Sequence, residues 1–228
     1  ALAIAIVLAV TVITACSSPC PAAPVGLQAG FAAAEITPNV EPGGDPVWLA
    51  GYGWGRQATA VHDPLYARTV VLDSGGRRIA IVSVDLVGLQ YPEVDRIRAA
   101  LPQFDYVVVS STHNEEGPDT IGIWGSSPFR RGTNANYLQP VGDPGVASAN
   151  NAAAKLQTVT AAFGTASDPS LLGDSRLPVV KDGVLRVVRF DCDQADAPCG
   201  LLVQWNCHPE SLGSKNTLVT ADFCYATI

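Results

Sequence analysis

Histidine is scarce in this chain, with three in 228 residues, and two of them sit where chemistry can be done. His113 lies in residues 110–116, SSTHNEE, directly after the apolar run YVVV at 106–109. His208 lies in residues 206–210, NCHPE, directly after LLVQW at 201–205. Both runs read as strands from their β-branched and aromatic content. Polar groups just past the carboxyl end of a strand in an open α/β sheet are where ligands bind. Neutral imidazoles are nitrogen ligands for zinc, and carboxylates beside them can serve as ligand or base. A catalytic zinc takes three protein ligands and leaves a position open, so His113 and His208 need a third. Glu115, Glu116, Glu210 and His62 are the candidates within the sequence, beside a ligand from outside it. His62 precedes Asp63-Pro64 and reads first as a structural or supporting residue. The plainer alternative for residues 110–116 is a polar loop facing water. A Ser/His/Asp triad from Ser110 or Ser111, His113 and Asp119 ranks lower, because these residues crowd together and no GxSxG elbow is present.

The elements that must carry these residues follow from pattern and turn chemistry. Residues 27–36 read as a first strand, stopped by Thr37-Pro38, and residues 39–60 as a Gly/Pro-rich loop containing Gly51-Tyr52-Gly53-Trp54-Gly55. Residues 66–72 and 79–86 form a hairpin across Asp73-Ser74-Gly75-Gly76. Asp85, at the end of the second strand, reads as a site residue or a helix cap. Residues 92–101 place Val94, Ile97 and Leu101 on one helical face, and with the strand at 106 they complete a β-α-β unit. Residues 126–144 lack any period and are expected to wall a site. Residues 145–161 are expected to be an Ala-rich helix, and 184–191 with 201–205 a second hairpin. The interleaving predicts an α/β layered domain with a mixed β-sheet flanked by helices, incomplete at the C-terminus.

The composition narrows the partners. A net charge of −7 and the lack of a Lys/Arg stripe argue against nucleic acid. Residues 1–15 (ALAIAIVLAVTVITA) are uniformly apolar but short for a bilayer span, and fit the hydrophobic part of an export signal. Ile13-Thr14-Ala15-Cys16 resembles a bacterial lipobox, so Cys16 is the expected lipidation site and residues 16–27 a flexible tether. The expected location is outside the cytoplasm, on a membrane surface through a lipid anchor. A plain signal peptide with a coincidental Cys is the alternative. Six cysteines suit an oxidising compartment. Cys192 and Cys199, flanking a polar loop between two strands, are the expected disulfide. Cys207 and Cys224 are a second candidate pair, which leaves Cys20 alone.

Several segments together resemble the amino-terminal region of the neutral/alkaline non-lysosomal ceramidases. They are AAEITP (33–38), GYG (51–53), HDPLYARTVVL (62–72), IAIVSVDLVGL (79–89), STHNEEGPD (111–119) and QWNCHPESLGSKNT (204–217). The resemblance runs from about residue 30 onward, so residues 28–228 are expected to be the amino-terminal part of such a domain. It implies a zinc-dependent amidase that splits ceramide into a fatty acid and a sphingoid base, with zinc held by two His, a Glu and a Tyr. On that alignment His113 and His208 are the two imidazole ligands. Gly51 and Gly53, and more weakly Arg176, match positions that hold the lipid's polar head. Glu115 replaces a second, non-ligand His near the scissile amide and is the expected catalytic base. Cys224 stands where relatives have Pro or another small residue, and the sequence stops at Ile228, before the family's Glu and Tyr ligands. A related lipid amide or ester as substrate, and a non-catalytic surface lipoprotein, are the competing expectations.

Overall fold

The computed structural model describes residues 26–193 and 197–227. Cys16, Cys20 and the apolar segment at 1–15 lie outside these residues. In chain order the elements are β1 (Gln28–Glu35), β2 (Ala60–Val61), β3 (Tyr66–Ser74), β4 (Arg77–Val84) and α1 (Tyr91–Ala99). There follow β5 (Tyr106–Ser111), α2 (Ala135–Leu138), α3 (Gly142–Ala153) and β6 (Gln157–Ser167). A 3-10 turn at Pro169–Leu171, then β7 (Val184–Cys192), β8 (Gly200–Gln204), β9 (Leu218–Val219) and α4 (Phe223–Thr227) complete the order. Seven strands form one sheet in the order β5-β4-β3-β1-β6-β7-β8, while β2 and β9 pair in parallel apart from it. Within the large sheet only β4 and β5 run parallel, with Ile79 opposite Tyr106 and Val84 opposite Ser111. The sheet is therefore mixed and flanked by helices, as the sequence predicts.

The core forms where α3 covers one face of β1, β3 and β4, with α1 packed beside it and against β5. Period-two alternation puts Ala80, Val82 and Val84 of β4 inside, where they meet Ile97 of α1 and Ala149 and Ala152 of α3. Fully burying Val71, Val82 or Ile97 contributes about 1.5–3 kcal/mol each. Helix α3 can lie this close because Gly30 of β1 carries no side chain; a Cβ there would fall 2.0 Å from the Ala152 carbonyl oxygen. A smaller cluster, centred on Phe190 and Phe31 with ring centroids 5.4 Å apart, holds β1 to β6, β7 and β8. No helix among the described residues is long and apolar enough to cross a membrane.

Three expectations need correction here. The helix expected over 145–161 begins at Gly142 and ends at Ala153, and Gln157–Ser167 is an eleven-residue strand paired with β1 at its start and with β7 from Val159 onward. The Ala-rich composition carries the helix reading past its end, while Thr158, Val159 and Thr160 are the β-branched residues that favour the strand. Residues 126–144 are not wholly irregular: they hold α2, capped by the Asn134 side chain, and the start of α3. Asp85 is neither a helix cap nor a cleft residue. It is fully buried, ion-paired with Arg68, and accepts a hydrogen bond from the Tyr66 amide.

Candidate metal centre

The adjacent carboxyl ends of the parallel strands β4 and β5 build the floor of the site. Past Ser111 the ladder continues by one bond, from the Thr112 amide to the Val84 carbonyl at 3.0 Å. His113 then takes a left-handed backbone conformation, with φ of 63°. That conformation costs a residue with a side chain about 1–2 kcal/mol. It turns the ring so that Nδ1 lies 2.8 Å from the Val87 carbonyl oxygen. A carbonyl only accepts, so Nδ1 donates and the Nε2 lone pair is left free for a ligand.

From here residues alternate between two environments. His113 and Glu115 face outward, whereas Asn114 and Glu116 are wholly buried at 0% exposure. The Asn114 amide donates to the carbonyls of Asp85 and Thr220, at 3.3 and 2.7 Å, and its oxygen accepts from the Glu116 amide. Glu116 Oε2 accepts from Arg56 Nη2 at 2.7 Å and from Asn216 Nδ2 at 2.6 Å. Burial still holds its carboxyl above the ordinary range, with Asn216 and Arg56 pulling the other way. Arg56 also donates to the carbonyls of Ala50, Glu115 and Asn216. One guanidinium thus ties the glycine loop, the end of β5 and the approach to β9 together beneath the site.

His208 arrives from the other side, after β8. Its segment is pinned by the Glu115 amide donating to the Pro209 carbonyl at 3.3 Å and by Ser211 donating twice to the Asp222 carboxylate. His208 Nδ1 lies 3.2 Å from Glu210 Oε2, and its Nε2 lies 3.7 Å from Glu115 Oε1. The His113 and His208 rings meet edge to face with centroids 4.6 Å apart. One donor atom from each of His113, Glu115 and His208 lies within 4.8 Å of the other two. Donors about 2.0–2.1 Å from a tetrahedral ion stand roughly 3.4 Å apart, so small side-chain rotations would close this set on a divalent metal.

Gly51 explains how Glu115 reaches that position. A Cβ on residue 51 would fall 2.3 Å from Glu115 Oε2, and the backbone there has φ of +77°. The glycine acts as a cradle for the carboxylate, while a Cβ on Gly53 would meet nothing within 4 Å. Tyr52, between them, donates to the Glu210 carbonyl at 2.8 Å. Burial, then the Glu210, Glu116 and Glu115 carboxylates, hold the Tyr52 phenol well above its usual range, so it remains a donor.

Above the donors opens a cleft of about 730 Å³, with His113, His208 and Glu210 on one side and residues 172–182 on the other. This wall, and not the expected loop at 126–144, bounds the site. Asp174 shapes it by accepting from the amides of Arg176 and Val180, and Asp182 ties it to Asn206 and Arg186. Arg176 lines the cleft, together with apolar Leu172, Pro178, Val180 and Trp205. Val180 in this wall is exposed by 76%, and Leu177, between Arg176 and Pro178 in sequence, by 90%.

The structure therefore gathers His113, His208 and Arg176 around one opening, brings Glu115 to the two imidazoles, and sets Gly51 against the Glu115 carboxylate. Of the other candidate ligands, Glu116 points into the core, Glu210 supports His208, and His62 pairs with Asp63 outside the donor cluster. Cys192 and Cys199 form the expected disulfide. Cys207 and Cys224 do not: both are free thiols lining one cavity, and burial pushes the Cys224 thiol up to about 12. Arg56 and Asn216 escaped the sequence reading, since neither stands in a pattern that signals a buried ion.

No family model and no curated protein matches the sequence. Among solved structures, the neutral ceramidase from Pseudomonas aeruginosa has a similar fold, with a TM-score of 0.68 over 87% of this chain at 19% identity. A ceramidase complexed with C2 gives the same TM-score, coverage and identity. The chain spans about a third (34%) of the length of either protein. The fold expected from the sequence resemblance is thus the fold observed.

Proposed function

We propose that the chain forms part of a zinc-dependent hydrolase that cleaves the N-acyl amide bond of ceramide or a closely related lipid, releasing a fatty acid and a sphingoid base. The observation that carries this reading is the donor cluster of His113, Glu115 and His208, whose two imidazoles line an amphipathic cleft, on a fold shared with ceramidases. His113 and His208 present Nε2 because Val87 and Glu210 engage the opposite ring nitrogens. The donor set suits zinc, which accepts two imidazoles and a carboxylate. When bound there, the metal supplies a Lewis acid that polarises the amide carbonyl and activates water.

The chain's own residues handle the substrate. Arg176 offers a cation and several donors to the polar head across the cleft from the imidazoles, while Leu172, Val180 and Trp205 give acyl and sphingoid chains an apolar wall. Exposed Val180 in the cleft wall lets a lipid enter without full contact with water. Export and a lipid anchor at Cys16 would place the cleft beside a membrane, where such substrates reside.

The test is release of free amine from ceramide in mixed micelles by the zinc-loaded whole protein of which this chain forms part, and by its H113A and H208A variants. Zinc-dependent release that both substitutions abolish supports the proposal. Metal-loaded protein that releases no amine from ceramide would refute it, and cleavage of simple N-acyl amides instead would assign the site to another amide.

A further inference from the structure

The geometry points to Glu115 as a metal ligand, a third donor to one ion beside His113 and His208. The inference rests on the metal-binding part of the proposed function and is independent of which amide is cut. Sequence resemblance alone makes Glu115 a base, standing beside the metal in place of a non-ligand imidazole. The structure brings its carboxylate within reach of the same ion as the two imidazoles. Glu115 Oε1 is 3.7 Å from His208 Nε2, close to the roughly 3.4 Å that separates two donors on one tetrahedral ion. Its donor atom satisfies the same mutual limit of 4.8 Å as the two imidazoles.

Three features hold Glu115 there. It is two residues beyond His113 on an alternating segment, so both side chains leave the same face, while Asn114 and Glu116 anchor the opposite face in the core. Its own backbone is held at both ends, the amide by the Pro209 carbonyl and the carbonyl by Arg56. The space behind the carboxylate exists only because residue 51 is glycine. Both imidazoles also have Nδ1 engaged, His113 by a carbonyl and His208 by Glu210, so each has one ring nitrogen free on the Glu115 side. Two neutral imidazoles and one carboxylate leave a divalent ion with a net charge of +1 and an open position. That donor set also suits iron(II), which widens the choice of metal beyond zinc.

The test is affinity for Zn²⁺, read by competition with a chromophoric chelator, on the full chain and its H113A, H208A, E115Q and E115H variants. Co²⁺ loading gives a second readout through visible absorption, which follows ligand number. With Glu115 as a ligand, E115Q weakens Zn²⁺ binding at least tenfold and changes the Co²⁺ spectrum, while E115H, which restores a nitrogen donor, recovers most of the affinity. E115Q keeps the size of the side chain, so a fold defect does not imitate the result. Wild-type affinity and an unchanged Co²⁺ spectrum in E115Q, with binding lost in H113A, would overturn the assignment. Absence of Zn²⁺ binding by the parent chain would overturn both this inference and the metal-dependent reading. Inactivity toward ceramide, with Glu115-dependent Zn²⁺ binding intact, would sink only the substrate proposal.

Discussion

Replacing Gly51 with alanine probes the link between the glycine loop and the donor cluster. The added methyl would fall 2.3 Å from Glu115 Oε2, 2.4 Å from its Cδ and 2.7 Å from its Cβ. These contacts are too short to persist, so the carboxylate must swing away from His208. Overpacking of this kind costs about 1–3 kcal/mol. The backbone adds its own term, since φ of +77° costs a residue with a Cβ about 1–2 kcal/mol. The expected loss for G51A is thus about 2–5 kcal/mol in urea unfolding, with zinc affinity lowered at least tenfold as Glu115 leaves the set. G53A separates the two effects. Its φ of +152° is also poor for alanine, but its Cβ meets nothing within 4 Å, so it should lose stability and keep zinc affinity. Chelator competition and urea melts on both variants provide the check. Wild-type zinc affinity in G51A, or an equal loss in G53A, would show that the cradle does not position Glu115.

Three other perturbations test the surrounding frame. Arg56→Ala leaves the buried Glu116 charge without its partner and should cost about 3–5 kcal/mol, part of which E116Q restores in the double variant; a cost below about 1 kcal/mol in urea melts would contradict the role of this pair. Burial raises the folded-state pKa of Asp85 despite Arg68, so the native state holds this proton more tightly than the unfolded chain does. Its stabilising contribution is then full below about pH 4 and declines as pH rises through the folded value, so the stability difference between parent and D85N should change across that window, and a difference independent of pH would refute the shift. Cys192→Ser opens a disulfide of sequence separation 7 and should lower stability by roughly 2.4 kcal/mol in the chain-entropy account, an effect that reductant should reproduce in the parent protein.

The sequence discloses this fold most clearly where one face of a strand is buried. The β3–β4 hairpin was legible because two β-branched, apolar runs flank the turn residues Asp73-Ser74-Gly75-Gly76. Strand β6 was hidden because nearly all of it is exposed, so its small residues show no alternation and resemble a helix surface. The imidazoles were legible from their place after strands, which is a one-dimensional signal. The cradle at Gly51 was not, because its meaning lies in an approach by Glu115, sixty-four positions away. Arg56, Glu116 and Asn216 form a buried polar hub from three separate loops, and no local periodicity reports such a convergence. The cleft wall at 172–182 was missed for the same reason: Asp174 and Asp182 shape it through bonds that composition does not announce.

The hub beneath the site also has a kinetic consequence. The bond from Asn216 to Glu116 spans 100 residues, and the one from Thr220 to Asp63 spans 157. Strand β9 must meet β2 across a similar interval, with Leu218 opposite Ala60. Closing a loop of that length costs about 2 kcal/mol more than closing a ten-residue one, and nothing returns that cost until the distant segments meet. The β3–β4 hairpin and the α1–β5 unit can form early from near neighbours, with His113 and Glu115 already on board. His208 joins them only when residues 205–222 dock. On refolding, the β-sheet signal in far-ultraviolet circular dichroism should therefore begin to recover before the Co²⁺ absorption band appears, and simultaneous recovery would argue against this order. Metal uptake would then mark the finished molecule and would have no part in nucleating it, leaving half-folded chains without their ion.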